Sequence, residues 1–175
     1  MVPFLSAIRR LFGGEPRKST YKTVDVYKNL RKQILELKPE QLGASATEAV
    51  LAVVMETGYP EAVATLVAII DGSASLYFSN GGGIIGAGES PEPNAAARRV
   101  VAKAAEFRAA WTLTNEFPLP QNGHTQFFII TPNGVFASEA KEDDLGNGRH
   151  RMSPLFHMAH ELITQMRLTE DKKKA

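Results

Sequence analysis

A hairpin followed by a helix, within residues 63–111, constrains this chain more than any other feature. Residues 63–70, VATLVAII, form an unbroken apolar run rich in β-branched residues, as a buried strand requires. Asp71, Gly72 and Ser73 supply a turn, Leu76, Tyr77 and Phe78 a returning strand, and residues 94–111 a helix. Strands joined by so short a turn pair antiparallel, because a parallel pair needs a crossover of a dozen residues or more. The order therefore argues for an α+β domain with an antiparallel sheet carrying helices, and against a parallel nucleotide-binding sheet.

The flanking segments extend that plan. Val24, Tyr27, Leu30, Ile34 and Leu37 recur at helical spacing with lysines and arginines opposite, which predicts an amphipathic helix ending before Pro39. Over residues 46–57 the run at 50–55 is β-branched enough for a strand. Ser45 with Glu48 as a capping box, and Gly58 as a stop, favour a second helix there. The strand at 76–78 is expected to continue through Ile84 and Ile85 after a glycine bend. Asn94 is placed to cap the next helix, whose Ala97, Val100, Val101, Ala104 and Phe107 make a face flat enough for a sheet. Strands follow at 112–117, 125–131 and 135–140, the last two joined at Asn133 and Gly134. A charged loop over 139–152 precedes Ser153 and Pro154, which open a closing helix with Leu155, Ala159, Leu162 and Met166 inward. The expected organisation is an amphipathic segment and linker at 1–20, one domain at 21–168 and a charged tail at 169–175.

With 175 residues, 43% hydrophobic and 22% charged, the chain suits one soluble domain with its own core. A net charge of +1 provides no field for nucleic acid, and Arg98, Arg99, Lys103 and Arg108 read as a solvated helix face, so no nucleic-acid partner is expected. The absence of cysteine removes disulfides, thiolate nucleophiles and cysteine zinc sites, and suits a reducing cytoplasm. No apolar run reaches membrane-spanning length. Near the N-terminus, Phe4, Leu5, Ile8, Leu11 and Phe12 share one helical face flanked by Arg9 and Arg10, in the wrong order for an export signal. Gly13, Gly14 and Pro16 then open a linker. Such a stripe suits either an anchor for a membrane surface or partner groove, or a helix packing back on its own domain or dimer mate.

Candidate chemistry is sparse. Gly81, Gly83 and Gly86 match the spacing of a dinucleotide loop, but Pro91 and Pro93 separate them from the helix such a loop must open into. A bulged strand end or hairpin extension is the better reading, with Gly81, Gly82, Gly83 and Gly86 allowing close approach of a ligand or partner backbone. His157 and His160, with Glu161, fit neither orientation of the zinc-hydrolase motif and read as exposed helix-face histidines; the metal alternative joins His150, His157 and a loop carboxylate. No nucleophile elbow is present. The sequence thus points to no catalytic residue, no metal and no cofactor. Long mixed-charge loops often carry recognition, which makes Asp143, Asp144, Arg149, His150 and Arg151 the first candidates for partner binding.

The element order, with Ile69, Ile70, Asp71 and Gly72, then Ser79, Asn80 and Gly81, then the helix from Asn94, resembles the roadblock or dynein-light-chain-7 family of the profilin-like fold. That resemblance covers roughly residues 63–168 and implies a five-stranded antiparallel sheet flanked by helices. It also implies a non-enzymatic homodimer that binds or regulates small GTPases or serves as a scaffold. The helix at 46–57 and the long loop at 143–152 depart from the family pattern. The expectation is a cytoplasmic regulatory or scaffolding module; the alternatives are a small-molecule sensor or enzyme with a pocket beside residues 81–88, and a peripheral membrane protein held by its N-terminus.

Overall fold

Central position in a sheet, rather than helix geometry, accounts for the apolar run after residue 50. In the computed structural model, which describes residues 21–45 and 50–174, β1 (Ala52–Gly58) is buried along its whole length. It pairs antiparallel with β2 (Val63–Ile69) on one side and β6 (His124–Thr131) on the other. A strand covered on both faces shows no polar alternation, so periodicity alone does not separate it from a buried helix. The helix expected over 46–57 is corrected accordingly, and Gly58 ends a strand. Its role is close packing: a Cβ there would lie 2.2 Å from the carbonyl oxygen of Gln121. Residues 46–49, which include Glu48 of the expected cap, lie outside the described residues, as does the stripe of Phe4, Leu5, Ile8, Leu11 and Phe12.

The remaining strands are β3 (Ala74–Phe78), β4 (Gly83–Ile84), β5 (Thr112–Thr114) and β7 (Gly134–Lys141). They form one seven-stranded sheet of order β4-β3-β2-β1-β6-β7-β5, with each neighbouring pair antiparallel. Five strands were expected; β1, read as a helix, and β4, where the glycine bend turns the chain into a short hairpin, make up the difference. The predicted 63–78 hairpin and the Asn133-Gly134 hairpin are both present.

Alternation along the strands feeds two cores. Val53, Met55, Leu66, Phe127 and Ile129 face α2 (Pro91–Ala105) and α4 (Ser153–Lys174), where Ala97, Val100, Val101, Ala104, Leu155, Ala159, Leu162 and Met166 are buried as expected. Val54, Val67, Tyr77, Phe128 and Ile130 face α1 (Asp25–Leu35). Phe117, expected in a strand, leaves the sheet after β5 and packs on this second side, its ring 5.6 Å from that of Phe128.

The helix α2 begins at Pro91, ahead of the expected cap at Asn94, because proline suits a first turn whose N–H groups have no partner. Asn94 works from inside that turn: its side-chain amide donates to the Gly88 carbonyl at 3.0 Å and its oxygen accepts from Arg98 Nε at 3.0 Å. The charged segment at 139–152 is not a free loop. The strand β7 carries it to Lys141, α3 (Glu142–Gly146) follows, and fully buried Leu145 and Met152 pin it to the core. The closing helix continues to Lys174, through most of the residues assigned to a tail. Among the described residues no helix is long and apolar enough to cross a membrane.

Candidate functional site

The glycines at 81–83 make the turn of the β3–β4 hairpin. Gly81, Gly82 and Gly83 have φ of 110°, 82° and 147°, values that side chains disfavour. At Gly83 a Cβ would also lie 2.2 Å from the Leu76 carbonyl oxygen, whereas at Gly81, Gly82 and Gly86 it would meet open space. Gly86 leads into a short turn of 3-10 helix (Ala87–Glu89) before α2, so these glycines shape a hairpin and do not open a helix toward a phosphate.

Between that hairpin and α1 runs an apolar trough. It consists of two adjoining hollows of about 280 Å³ each, which share Leu30, Tyr77 and Ile85. Ile34, Leu37, Val67 and Ile69 line one end; Val26, Phe78, Gly81, Gly82 and Gly83 line the other. Val26 and Ile85 are 60% exposed and Phe78 36%, an unusual concentration of large apolar surface on one side of a small domain. In its floor lies Tyr77, buried, with its ring edge-on to Tyr27 at 5.7 Å. The Tyr77 hydroxyl has no hydrogen-bond partner among the described residues. Burial, and secondarily the charge of Glu56, push its pKa upward, so it stays a hydrogen-bond donor.

A third hollow, of about 320 Å³, lies on the opposite flank of α1 between Arg31, Lys32, Leu35, Phe117 and Leu119. Beneath it Arg31 grips Glu56 with two bonds, Nε to Oε1 at 2.7 Å and Nη2 to Oε2 at 2.8 Å. The Glu56 side chain has no exposed surface. Thr65 Oγ1 donates to Glu56 Oε1 at 3.1 Å, the Tyr27 and Thr65 hydroxyls lie 3.1 Å apart, and Arg31 Nη2 also donates to the Phe117 carbonyl at 3.0 Å. Burial pulls the Arg31 pKa down, but its hydrogen bonds and charge pairing with Glu56 outweigh that and raise it. Both carboxylate oxygens are occupied by donors, so this network serves as a strut tying α1 to β1, β2 and residue 117 rather than as an acid or base.

The five polar candidates from the sequence are brought together around α3. Arg149 donates to Asp144 at 3.1 Å and also to Asp143, and Asn147 Nδ2 donates to Asp143 at 2.9 Å. The hydrogen bonds that Arg149 donates to Asp144 and then to Asp143 push its pKa upward. The His150 backbone N–H donates to Ser153 Oγ at 3.3 Å, and its Nδ1 accepts from the Met152 N–H at 3.2 Å, while Arg151 is exposed. Asp143, Asp144, Asn147 and Arg149 thus form a surface clasp around α3. Among the described residues no group of three or more histidines, cysteines or carboxylates is arranged to hold a metal ion.

Of the two helix histidines, His157 is exposed as expected. His160 is half-buried against the Phe156 ring at 4.3 Å, and its Nε2 has no partner among the described residues. Burial, then the neighbouring His157, lower its pKa below the usual 6.5. The unfolded chain therefore takes up this proton near pH 6.5 while the folded chain resists it, so stability is complete above about pH 6.5 and is lost as pH falls toward the depressed folded value. Melting temperatures from pH 8 to pH 5 should fall more steeply for the wild type than for His160→Leu; parallel curves would show that His160 does not contribute.

Sequence reasoning missed Arg31, Glu56 and Tyr77. One signal was available for Glu56: a lone carboxylate inside a buried run must have a partner. Compared with protein-family models, curated proteins and solved structures, the chain matches none.

Proposed function

We propose that this chain is a non-enzymatic regulatory or scaffolding module that binds an apolar peptide segment of a protein partner in the trough between α1 and the β3–β4 hairpin. The observation that carries this reading is the trough itself: exposed Val26, Phe78 and Ile85 surround buried Tyr77, whose hydroxyl lacks a partner among the described residues. An amphipathic helix laid there would bury all three exposed side chains. The trough is open and mainly apolar, with no charged side chain in its lining to orient a small molecule, so we rank a sensor or enzyme second. Asp143, Asp144, Arg149, His150 and Arg151 offer a polar contact elsewhere on the surface.

The likeness in element order to roadblock domains of the profilin-like fold belongs to the same proposal. It nominates a small GTPase as the first partner to test, a homodimer as the first assembly and the cytoplasm as the setting.

Selection of displayed random peptides against the full chain tests the trough. Enriched sequences should carry apolar residues at helical spacing. Ile85→Glu should weaken their binding about tenfold or more by placing a charge in the apolar contact. The same variant should change stability by no more than about 0.5 kcal/mol, as is usual for an exposed position. Undiminished binding by Ile85→Glu would move the site away from the trough.

A further inference from the structure

We infer that the third hollow, on the flank of α1 away from the trough, is a binding site for a small organic acid: one carboxylate on an apolar body. It shares only Tyr27 with the trough and does not depend on peptide binding there.

The walls of this hollow divide by chemistry. The helix α1 supplies Lys28, Arg31 and Lys32 at i, i+3 and i+4, which is one helix face. Buried Leu35 continues that face, and half-buried Phe117 and Leu119, on the segment after β5, form an apolar wall across from it. Apolar lining with a few convergent polar groups is the composition of small-molecule sites, and about 320 Å³ falls at the small end of their roughly 300–1,000 Å³. The trough, by contrast, has no charged side chain in its lining.

The cations retain capacity for a ligand. Arg31 commits Nε and Nη2 to Glu56 and the carbonyls of Phe117 and Pro118, while its Nη1 has no hydrogen-bond partner among the described residues. Lys28 pairs with Asp25 at 3.0 Å, but the two side chains are 57% and 93% exposed, and so exposed a pair is weak enough to give way. Lys32 makes no ion pair among the described residues. Lys28 and Lys32 stand one turn apart, about 6 Å along the axis, so their long stems can bring both ammonium groups to one carboxylate. Without an anion between them they repel.

Charge also restricts the ligand to a single anionic group. Three cations in the lining face two carboxylates, Glu36 in the lining and buried Glu56 beneath, which leaves one positive charge unmatched. A monoanion neutralises it. A dianion meets Glu36 with no cation left to balance the second charge.

The probes are sodium hexanoate, ionised at pH 7, and its neutral counterpart 1-hexanol, titrated into the full chain and followed by amide chemical shifts in NMR. Hexanoate should give saturable shifts centred on Arg31, Lys32, Leu35, Phe117 and Leu119, and should bind about tenfold more tightly than hexanol. Lys28→Gln combined with Lys32→Gln, at two exposed positions, should bring hexanoate to within about twofold of hexanol, with hexanol binding and the melting temperature unchanged. Adipate, the same chain with a carboxylate at each end, should bind more weakly than hexanoate. No saturable shift up to about 20 mM hexanoate, hexanol or adipate binding as tightly as hexanoate, or undiminished hexanoate binding by the double variant each overturns the site. Shifts confined to Val26, Phe78 and Ile85 place the acid in the trough and overturn it as well.

Discussion

Arg31→Met should destabilise the domain by about 3–5 kcal/mol, because it leaves the charge of Glu56 buried without its partner. The Glu56 side chain has no exposed surface, and Arg31 supplies both of its strongest bonds, at 2.7 and 2.8 Å. What remains after the substitution, the Thr65 and Tyr27 hydroxyls, can donate hydrogen bonds but no positive charge. The reverse deletion is milder. In Glu56→Leu the stranded guanidinium is already 14% exposed at the third hollow and can turn to water while keeping the Phe117 carbonyl. The double variant Arg31→Met, Glu56→Leu replaces an ion pair with apolar side chains and lets Tyr27 and Thr65 pair with each other, so most of the loss should be recovered. Urea unfolding of the four proteins gives the coupling energy directly. A larger loss for Glu56→Leu than for Arg31→Met would show that Arg31, not Glu56, is the more confined charge.

That pair also shows where sequence reading stops. The hairpin at 63–78 was legible because each strand carries its own apolar pattern and the Asp71-Gly72 turn is local chemistry; the same holds for the Asn133-Gly134 hairpin and for the closing helix opened by Ser153 and Pro154. Arg31 and Glu56 lie 25 residues apart, one on the polar face of a helix and one inside an apolar run, and only the docking of α1 on β1 brings them together. Central burial likewise hid β1. Its side chains feed two cores, so the alternation that marks a half-exposed strand is missing, and the local capping signal at Ser45 and Glu48 pointed the other way. Long-range pairing overrides such local preferences routinely. The site was partly visible: the glycines at 81–83 marked a place of close approach, but the trough needs α1 across the sheet from them, and helix periodicity alone does not say which strands α1 covers.

Phe127→Ala should cost about 3–5 kcal/mol, the range for a buried aromatic whose surroundings cannot collapse. Phe127 is fully buried on β6, and that strand is held on both sides, by β1 and by β7, so its backbone cannot move in to fill the space. Its ring lies 5.8 Å from that of Trp111, which stacks in turn on Phe107 at 6.2 Å. The Trp111 N–H has no partner among the described residues, so packing has to hold the indole in place. Phe136→Ala is the control. The same atoms are removed one strand further out, where Phe136 is only half-buried beneath the Arg108 guanidinium 5.7 Å away and water can enter, so the loss should be nearer the about 1 kcal/mol typical of point substitutions. Because Phe127 points toward α2 and α4, on the side of the sheet opposite the trough, the destabilised protein should still bind trough-selected peptides with unchanged affinity at temperatures where it is folded. Equal losses for the two phenylalanines in thermal unfolding would mean that the β6 core yields as readily as the β7 surface. Weakened peptide binding by folded Phe127→Ala would mean that the two cores do not act independently.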